Sequence, residues 1–301
     1  MSLTNFPNGI TSFGVPMMGG MIPSTTGKYY FVNSVTGSNG NEGTDPSAPL
    51  ATIAKAFDKV TADKMDVIVL FPEHVETVTA AVDGFDIAGV IVWGLGYGTL
   101  RPTITGNGTI DAISVTAANN IIANIRFAAP STDAQTSDIN VAAAGCVILN
   151  TFHLGSASSK NKTDIITVAT GGDDLLVEGV RAYNTNTDCV SFLSLEAAVA
   201  RCEIRNCHIA GQFSTGVLMD EATATLAYIH NNVFKNTKAA TAVVTFTTGN
   251  STGVMSKNFC SGRHTTIASN IVAGTGMDFH ENYVVEEAAL NGLYVPAQDA
   301  D

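Results

Sequence analysis

Ile122-Ala123-Asn124-Ile125, Ile148-Leu149-Asn150-Thr151, Val177-Glu178-Gly179-Val180 and Ile204-Arg205-Asn206-Cys207 share one pattern. An apolar strand ends in Asn or Gly and then resumes. Asn232, Asn258 and Asn282 continue the series. The anchors 124, 150, 179, 206, 232, 258 and 282 recur with a period of roughly 26 residues. A second series lies between them. Asp111-Ala112-Ile113-Ser114-Val115 resembles Asp138-Ile139-Asn140-Val141, Asp164-Ile165-Ile166-Thr167-Val168 and Asp188-Cys189-Val190-Ser191-Phe192. Gly216-Val217-Leu218-Met219 and Ala242-Val243-Val244-Thr245-Phe246 take the same place without the acid. Two strand families with one period put at least two strands in every repeat.

Fixed-period self-similarity decides architecture. The leucine and asparagine spacing of leucine-rich repeats is absent, and a propeller blade needs about 40 residues. A coil of a parallel β-helix fits. Each coil stacks about 4.8 Å from the last, its strands bond to equivalent strands above and below, and alternate apolar residues point inward. Seven or eight coils make a rod of roughly 35–40 Å. Asparagines at equivalent turns are expected to stack as ladders. Inward positions are Ile122, Ile148, Val177 and Ile204 early, then Ile229, Met255 and Phe279, one residue out of step with the anchors. This offset is read as a shift of the bend near the Asn.

Working outward, residues 28–284 form the body. It opens with Tyr29-Tyr30-Phe31-Val32-Asn33 and a turn-rich stretch. Helical spacing of Ile53, Ala56, Phe57 and Val60 then predicts a short capping helix near 50–60. Asp66-Val67-Ile68-Val69-Leu70-Phe71-Pro72 follows as a buried strand. Residues 1–27, rich in Gly, Pro, Ser and Thr, read as an extended arm, and residues 285–301 as a short acidic tail.

Of the 301 residues, 45% are hydrophobic and 14% charged, enough apolar material for a large core. Net charge is −12, which disfavours nucleic acid and anionic membrane as partners. No apolar run reaches the roughly 20 residues that span a bilayer. The N-terminus lacks a basic start and apolar stretch, so synthesis in a cytoplasm is expected. Cys146, Cys189, Cys202, Cys207 and Cys260 have no metal-type spacing and read as buried free thiols.

Tyr30 to Phe71 resembles the opening of the pectate-lyase-like β-helix superfamily: a strand, a Gly/Asp/Pro loop, a short helix over the open core, then a Val/Ile strand. The resemblance implies a right-handed helix and specifies no activity. Asn5-Phe6-Pro7-Asn8-Gly9-Ile10-Thr11-Ser12-Phe13-Gly14-Val15-Pro16 is similar to N-termini of structural proteins of tailed bacteriophages. That resemblance implies a virion protein, often a trimer.

Four groups of residues are candidates for chemistry. Asp111, Asp138, Asp164 and Asp188 recur at close to the coil period and would form a carboxylate column, either a cation site or the acidic groove of a sugar-cleaving enzyme. The local alternative is a turn role for each. Asp173-Asp174 and Asp220-Glu221 are adjacent pairs, too close in sequence to flank a glycosidic bond by themselves, and read as solvated turns. Trp93 lies in an apolar strand and offers no exposed sugar platform. His74, His153, His208, His230, His264 and His280 are dispersed. Of these, His230 and His280 sit two coils apart, a separation of roughly 10 Å. Arg101, Arg126, Arg181 and Arg205 could hold an anionic polysaccharide, although salt links to nearby acids are the simpler reading.

The resulting expectation is an all-β right-handed parallel β-helix without enzyme activity, and with no catalytic, cofactor or metal residue. It would serve as a homotrimeric decoration or cement protein on a phage capsid surface. Phe6, Pro7, Phe13, Val15 and Pro16 would anchor it to the major capsid protein. The alternative is a tailspike-like polysaccharide depolymerase or glycan-binding fibre, with a host-surface glycan as partner.

Overall fold

The computed structural model describes residues 11–12, 15–16, 22–82, 85–130, 134–155, 162–185, 188–248, 251–264, 267–274 and 276–286. The body is a right-handed parallel β-helix of three sheets. The first sheet has ten strands, from Tyr29–Val32 to Met277–His280. The second has nine, from Val75–Val78 to Tyr283–Glu286, and the third seven, from Asp111–Val115 to Ile271–Ala273. One coil runs through Ile121–Ala123, Arg126–Phe127 and Ser137–Val141 in turn. A bridge between Val82 and Ile113 precedes the seven strands of the third sheet, so about eight turns close on all three sides.

Stacking in register sorts apolar residues into internal columns. Ile122, Ile148, Val177, Ile204, Ile229, Met255 and Phe279 form one continuous column of the first sheet. Ile113, Ile139, Ile166, Leu193, Leu218, Val244 and Ile271 form the matching column of the third. Consecutive rungs thus bury branched side chains against each other, where each adds roughly 1.5–3 kcal/mol relative to exposure.

The bend between first and second sheets uses the left-handed region, which Asn and Gly adopt most readily. Asn124, Asn150, Gly179 and Asn206 occupy it with φ of 56°, 51°, 66° and 55°. In the next coils it is held by Asn231, Lys257 and Glu281, the residues before the anchors. The offset seen in the sequence is therefore a real shift of the bend. It turns Asn232, Asn258 and Asn282 inward, all 1% exposed. Asn232 Nδ2 donates to Asn258 Oδ1 and Asn258 Nδ2 to Asn282 Oδ1, each at 2.9 Å. The expected ladder is confined to these three. Asn124 instead reaches back from its bend, donating to the Gly94 and Gly96 carbonyls at 2.8 and 3.0 Å.

The helix spans Ile53–Phe57 and starts where Thr52 Oγ1 accepts from the Lys55 amide at 3.3 Å. So short a helix does not sustain itself alone. Burial of Ile53, Ala56 and Phe57 over the first coils holds it, with Phe57 4.6 Å from Phe85. All five cysteines are free and buried. Among the described residues no helix is long and apolar enough to cross a membrane. Of the arm, Thr11–Ser12 pairs antiparallel with Val15–Pro16 through the backbone; Phe6, Pro7 and Phe13 lie outside the described residues, as does the tail beyond Glu286.

Candidate ligand-binding face

The second sheet turns one face to solvent. Register aligns Thr103, Arg126, Phe152, Arg181, His208, Val233, Phe259 and Tyr283 in a single outward row. A parallel row carries Leu154, Tyr183, Ala210 and Lys235. Inward-pointing neighbours Phe127, Ala182, Ile209 and Phe234 anchor these strands in the core. Large apolar groups are left exposed here: Tyr183 is 55% exposed, and Val233, Phe259 and Tyr283 also face solvent. Phe259 and Tyr283 stack with ring centroids 6.0 Å apart.

At the other end of the row, a cleft of about 260 Å³ is lined by Tyr97, Arg101, Arg126, Phe152 and Arg181. Strand alternation puts Arg126 and Arg181 on one face, and the loop before Thr103 brings in Arg101 and Tyr97. The Arg101 guanidinium lies 5.6 Å from the centroid of the Tyr97 ring, a cation–π distance. Burial lowers the pKa of Arg101 from its ordinary value, with the nearby Arg181 charge acting in the same direction and Tyr97 against it. Its buried Nε has no hydrogen-bond partner. Arg201 pairs with Asp174, and Arg205 with Glu178 and Glu203. Among the described residues no acid pairs with Arg101, Arg126 or Arg181, and the three guanidiniums line one cleft. Such a fork set suits planar carboxylates or sulfates.

Several sequence expectations change. Among the described residues, Arg205 alone of the four arginines makes the simple salt links, while Arg126 and Arg181 share one row. Aromatic platforms are present: Tyr97, Tyr183, Phe259 and Tyr283 supply them, not Trp93, which packs beside Phe31 and Val69. The four aspartates do not form a column. Register aligns Asp111 and Ser137, and likewise Asp164 and Ser191. Ser137 Oγ donates to Asp111 at 2.7 Å and Ser191 Oγ to Asp164 at 2.6 Å, so hydroxyls separate the carboxylates. Asp138 lies one residue further on and is buried inside, where His153 and Lys162 contact it. Asp188 sits in the turn before the next strand. Among the described residues no group of His, Cys, Asp and Glu is arranged to hold a metal.

Burial raises the Asp164 pKa to about 6; the Ser191 hydroxyl opposes this, and Glu196 and Glu221 add to it. Asp220 is buried, not solvated, and accepts from the Thr247 and Thr248 amides and from Ser251 Oγ, closing a turn. His74 and His153 are fully buried, while His230 and His280 share a column two rungs apart, as the spacing predicts. A larger cleft of about 830 Å³ beside the helix presents Lys55, Asp58 and Asp86 together and has no such cationic set.

No protein-family model matches the sequence, and no curated protein matches it. Solved structures do. A GH136 lacto-N-biosidase from Eubacterium ramulus matches with a TM-score of 0.37 and 9% identity, over 85% of this chain and 67% of that one. A rhamnogalacturonan lyase matches with a TM-score of 0.33 and 12% identity, over 85% of this chain and 87% of that one. At these values the likeness concerns the path of the chain alone. The expectation of a protein without enzyme activity is corrected: the matching structures are named as enzymes, and a parallel β-helix by itself neither excludes nor supplies an activity.

Proposed function

We propose that this chain is a carbohydrate-active β-helix that binds an acidic polysaccharide along its second sheet. A single observation carries the reading. Arg101, Arg126 and Arg181 share one cleft with no carboxylate partner among the described residues, on a protein of net charge −12. A cluster of like charges, with the Arg101 guanidinium partly buried, is stabilised by an anion supplied from outside. The exposed rings further along the row supply flat apolar faces for sugar rings. Coils stacked about 4.8 Å apart present these groups as a straight track suited to a linear chain.

Cleavage, not binding alone, is favoured by one feature. His208 is the direct register partner of Arg181, so an imidazole stands beside the guanidinium that would hold a uronate carboxylate. That pairing suits proton abstraction next to a carboxylate, with the arginine stabilising the charge that develops. The setting we propose is a homotrimeric, tailspike-like component of a virion, in which the second sheet engages a host-surface glycan. Its support is the resemblance of Asn5 to Pro16.

The test is titration of the full chain with acidic and neutral polysaccharides of matched length, followed by product analysis. Saturable binding of the acidic set, weakened in Arg181→Ala, supports the reading. Equal binding of both sets, or none, overturns it. Unsaturated or reducing ends that appear with the native chain and vanish in His208→Ala support cleavage.

A further inference from the structure

A polar cluster lies inside the β-helix, behind the exposed face of the second sheet, where His153 is the inward neighbour of Phe152. Lys162 and Asp138 are each 1% exposed, and His153 is 0% exposed. Lys162 Nζ lies 2.7 Å from Asp138 Oδ2, and His153 Nδ1 lies 2.8 Å from the same oxygen. The other carboxylate oxygen, Oδ1, accepts from Gln135 Nε2 at 3.2 Å. His153 Nε2 is 2.8 Å from Thr151 Oγ1, and the ring stacks on Phe127 at 4.7 Å and 2°. With Nδ1–H donated to Asp138, Nε2 accepts from the Thr151 hydroxyl.

We propose that Lys162 and Asp138 condense to an intramolecular amide that ties adjacent coils together. The arrangement assigns a role to each neighbour. An amine held within hydrogen-bond reach of a carboxyl reacts as a unimolecular pair, with the high effective concentration that fixed geometry confers. Proton transfer along the Lys162–Asp138 contact gives the neutral amine and carboxylic acid. Nζ then attacks Cγ, forming the C–N bond, and negative charge gathers on Oδ1, where the Gln135 amide donates. The nitrogen passes a second proton to Oδ2 across the same contact, and the Nδ1–H of His153 holds Oδ2 by its hydrogen bond as it leaves. The Cγ–Oδ2 bond breaks and water leaves. Of the three ammonium protons, one stays on the amide and two depart with Oδ2, so no oxidant or other reactant is needed. Burial lowers the His153 pKa, opposed by its hydrogen bond to Asp138, which suits a neutral ring that donates its Nδ1–H to Oδ2. The dry interior also keeps water from reversing the reaction.

The experiment is intact-mass measurement of the full folded chain, followed by tandem mass spectrometry of its proteolytic peptides. The expected result is a mass one water below that of the sequence and a branched peptide joining Asp138 to Lys162. The Lys162→Met chain should carry the full mass. The native chain at full mass, after prolonged incubation in the folded state, overturns the proposal, and this measurement needs no variant to fold. A one-water loss mapped to a succinimide at Asp83-Gly84 overturns it equally.

Discussion

Arg181 and Arg205 illustrate how position, not residue type, assigns a role. Arg181 follows the left-handed bend at Gly179 and Arg205 precedes the one at Asn206, so they fall on different sheets. Arg205 spends its charge on Glu178 and Glu203, each at 2.8 Å. Arg181 meets Arg101 and Arg126. Replacing Arg181 or Arg126 with Ala should weaken acidic-polysaccharide binding about tenfold or more, since a charge-assisted hydrogen bond is worth ~1.5–3 kcal/mol. The unfolding midpoint should barely move, because no internal ion pair is lost; binding is read by calorimetry and stability by thermal melting. Arg205→Ala should leave binding unchanged. Asp164 yields a second prediction. Its folded pKa, about 6, lies above the ordinary value of 3.8. The unfolded chain therefore releases this proton first as pH rises. The stability linked to the group is fully present below about pH 4 and is lost as pH climbs through 6. The loss is on the order of 2–3 kcal/mol. Asp164→Asn should flatten the melting temperature across that window and raise it at neutral pH.

At the scale of elements, the bends and the internal ladder bear most on stability. Lys257 and Glu281 hold a left-handed conformation at φ of 56° and 55°, where a side chain without local hydrogen bonding is disfavoured. Lys257→Gly should therefore stabilise the chain by ~0.5–1 kcal/mol, read as a higher denaturant midpoint. Asn258 is the centre of the ladder. It donates to Asn282, Ile229 and Ser256 and accepts from Asn232. Asn258→Ala strands several buried groups at once and should cost about 2–4 kcal/mol, measured as a lower denaturant midpoint with an unchanged slope. Much of this scale was legible beforehand. The strand pairs, the capping helix and the shift of the bend follow from periodicity and from the preference of Asn and Gly for positive φ. The aspartate column is not legible in the sequence, because a shared place at a strand start does not fix a shared rung. Pairing aligns backbone rungs instead, and a slip of one residue sends Asp138 inside the helix and leaves Asp164 at its corner.

For the whole molecule, the proposed homotrimer predicts a sedimenting mass three times that of the chain, lost or kept independently of glycan binding. An acidic protein that captures an acidic polymer works against long-range repulsion, so the contact must be short-ranged and confined to the arginine cleft. The amino-acid sequence by itself determined the class of fold. A fixed period, alternating apolar positions and turn-forming Asn and Gly are local properties, and every rung repeats them. Only the tertiary structure decided the site. Arg101, Arg126 and Arg181 come from three separate stretches of the chain, and whether they meet depends on the length of each intervening loop. Those loops set the rotation of one coil against the next, and no single stretch of sequence contains that quantity. The same holds for Asp138, His153 and Lys162, whose contacts exist because two coils stack in one register and not in the next.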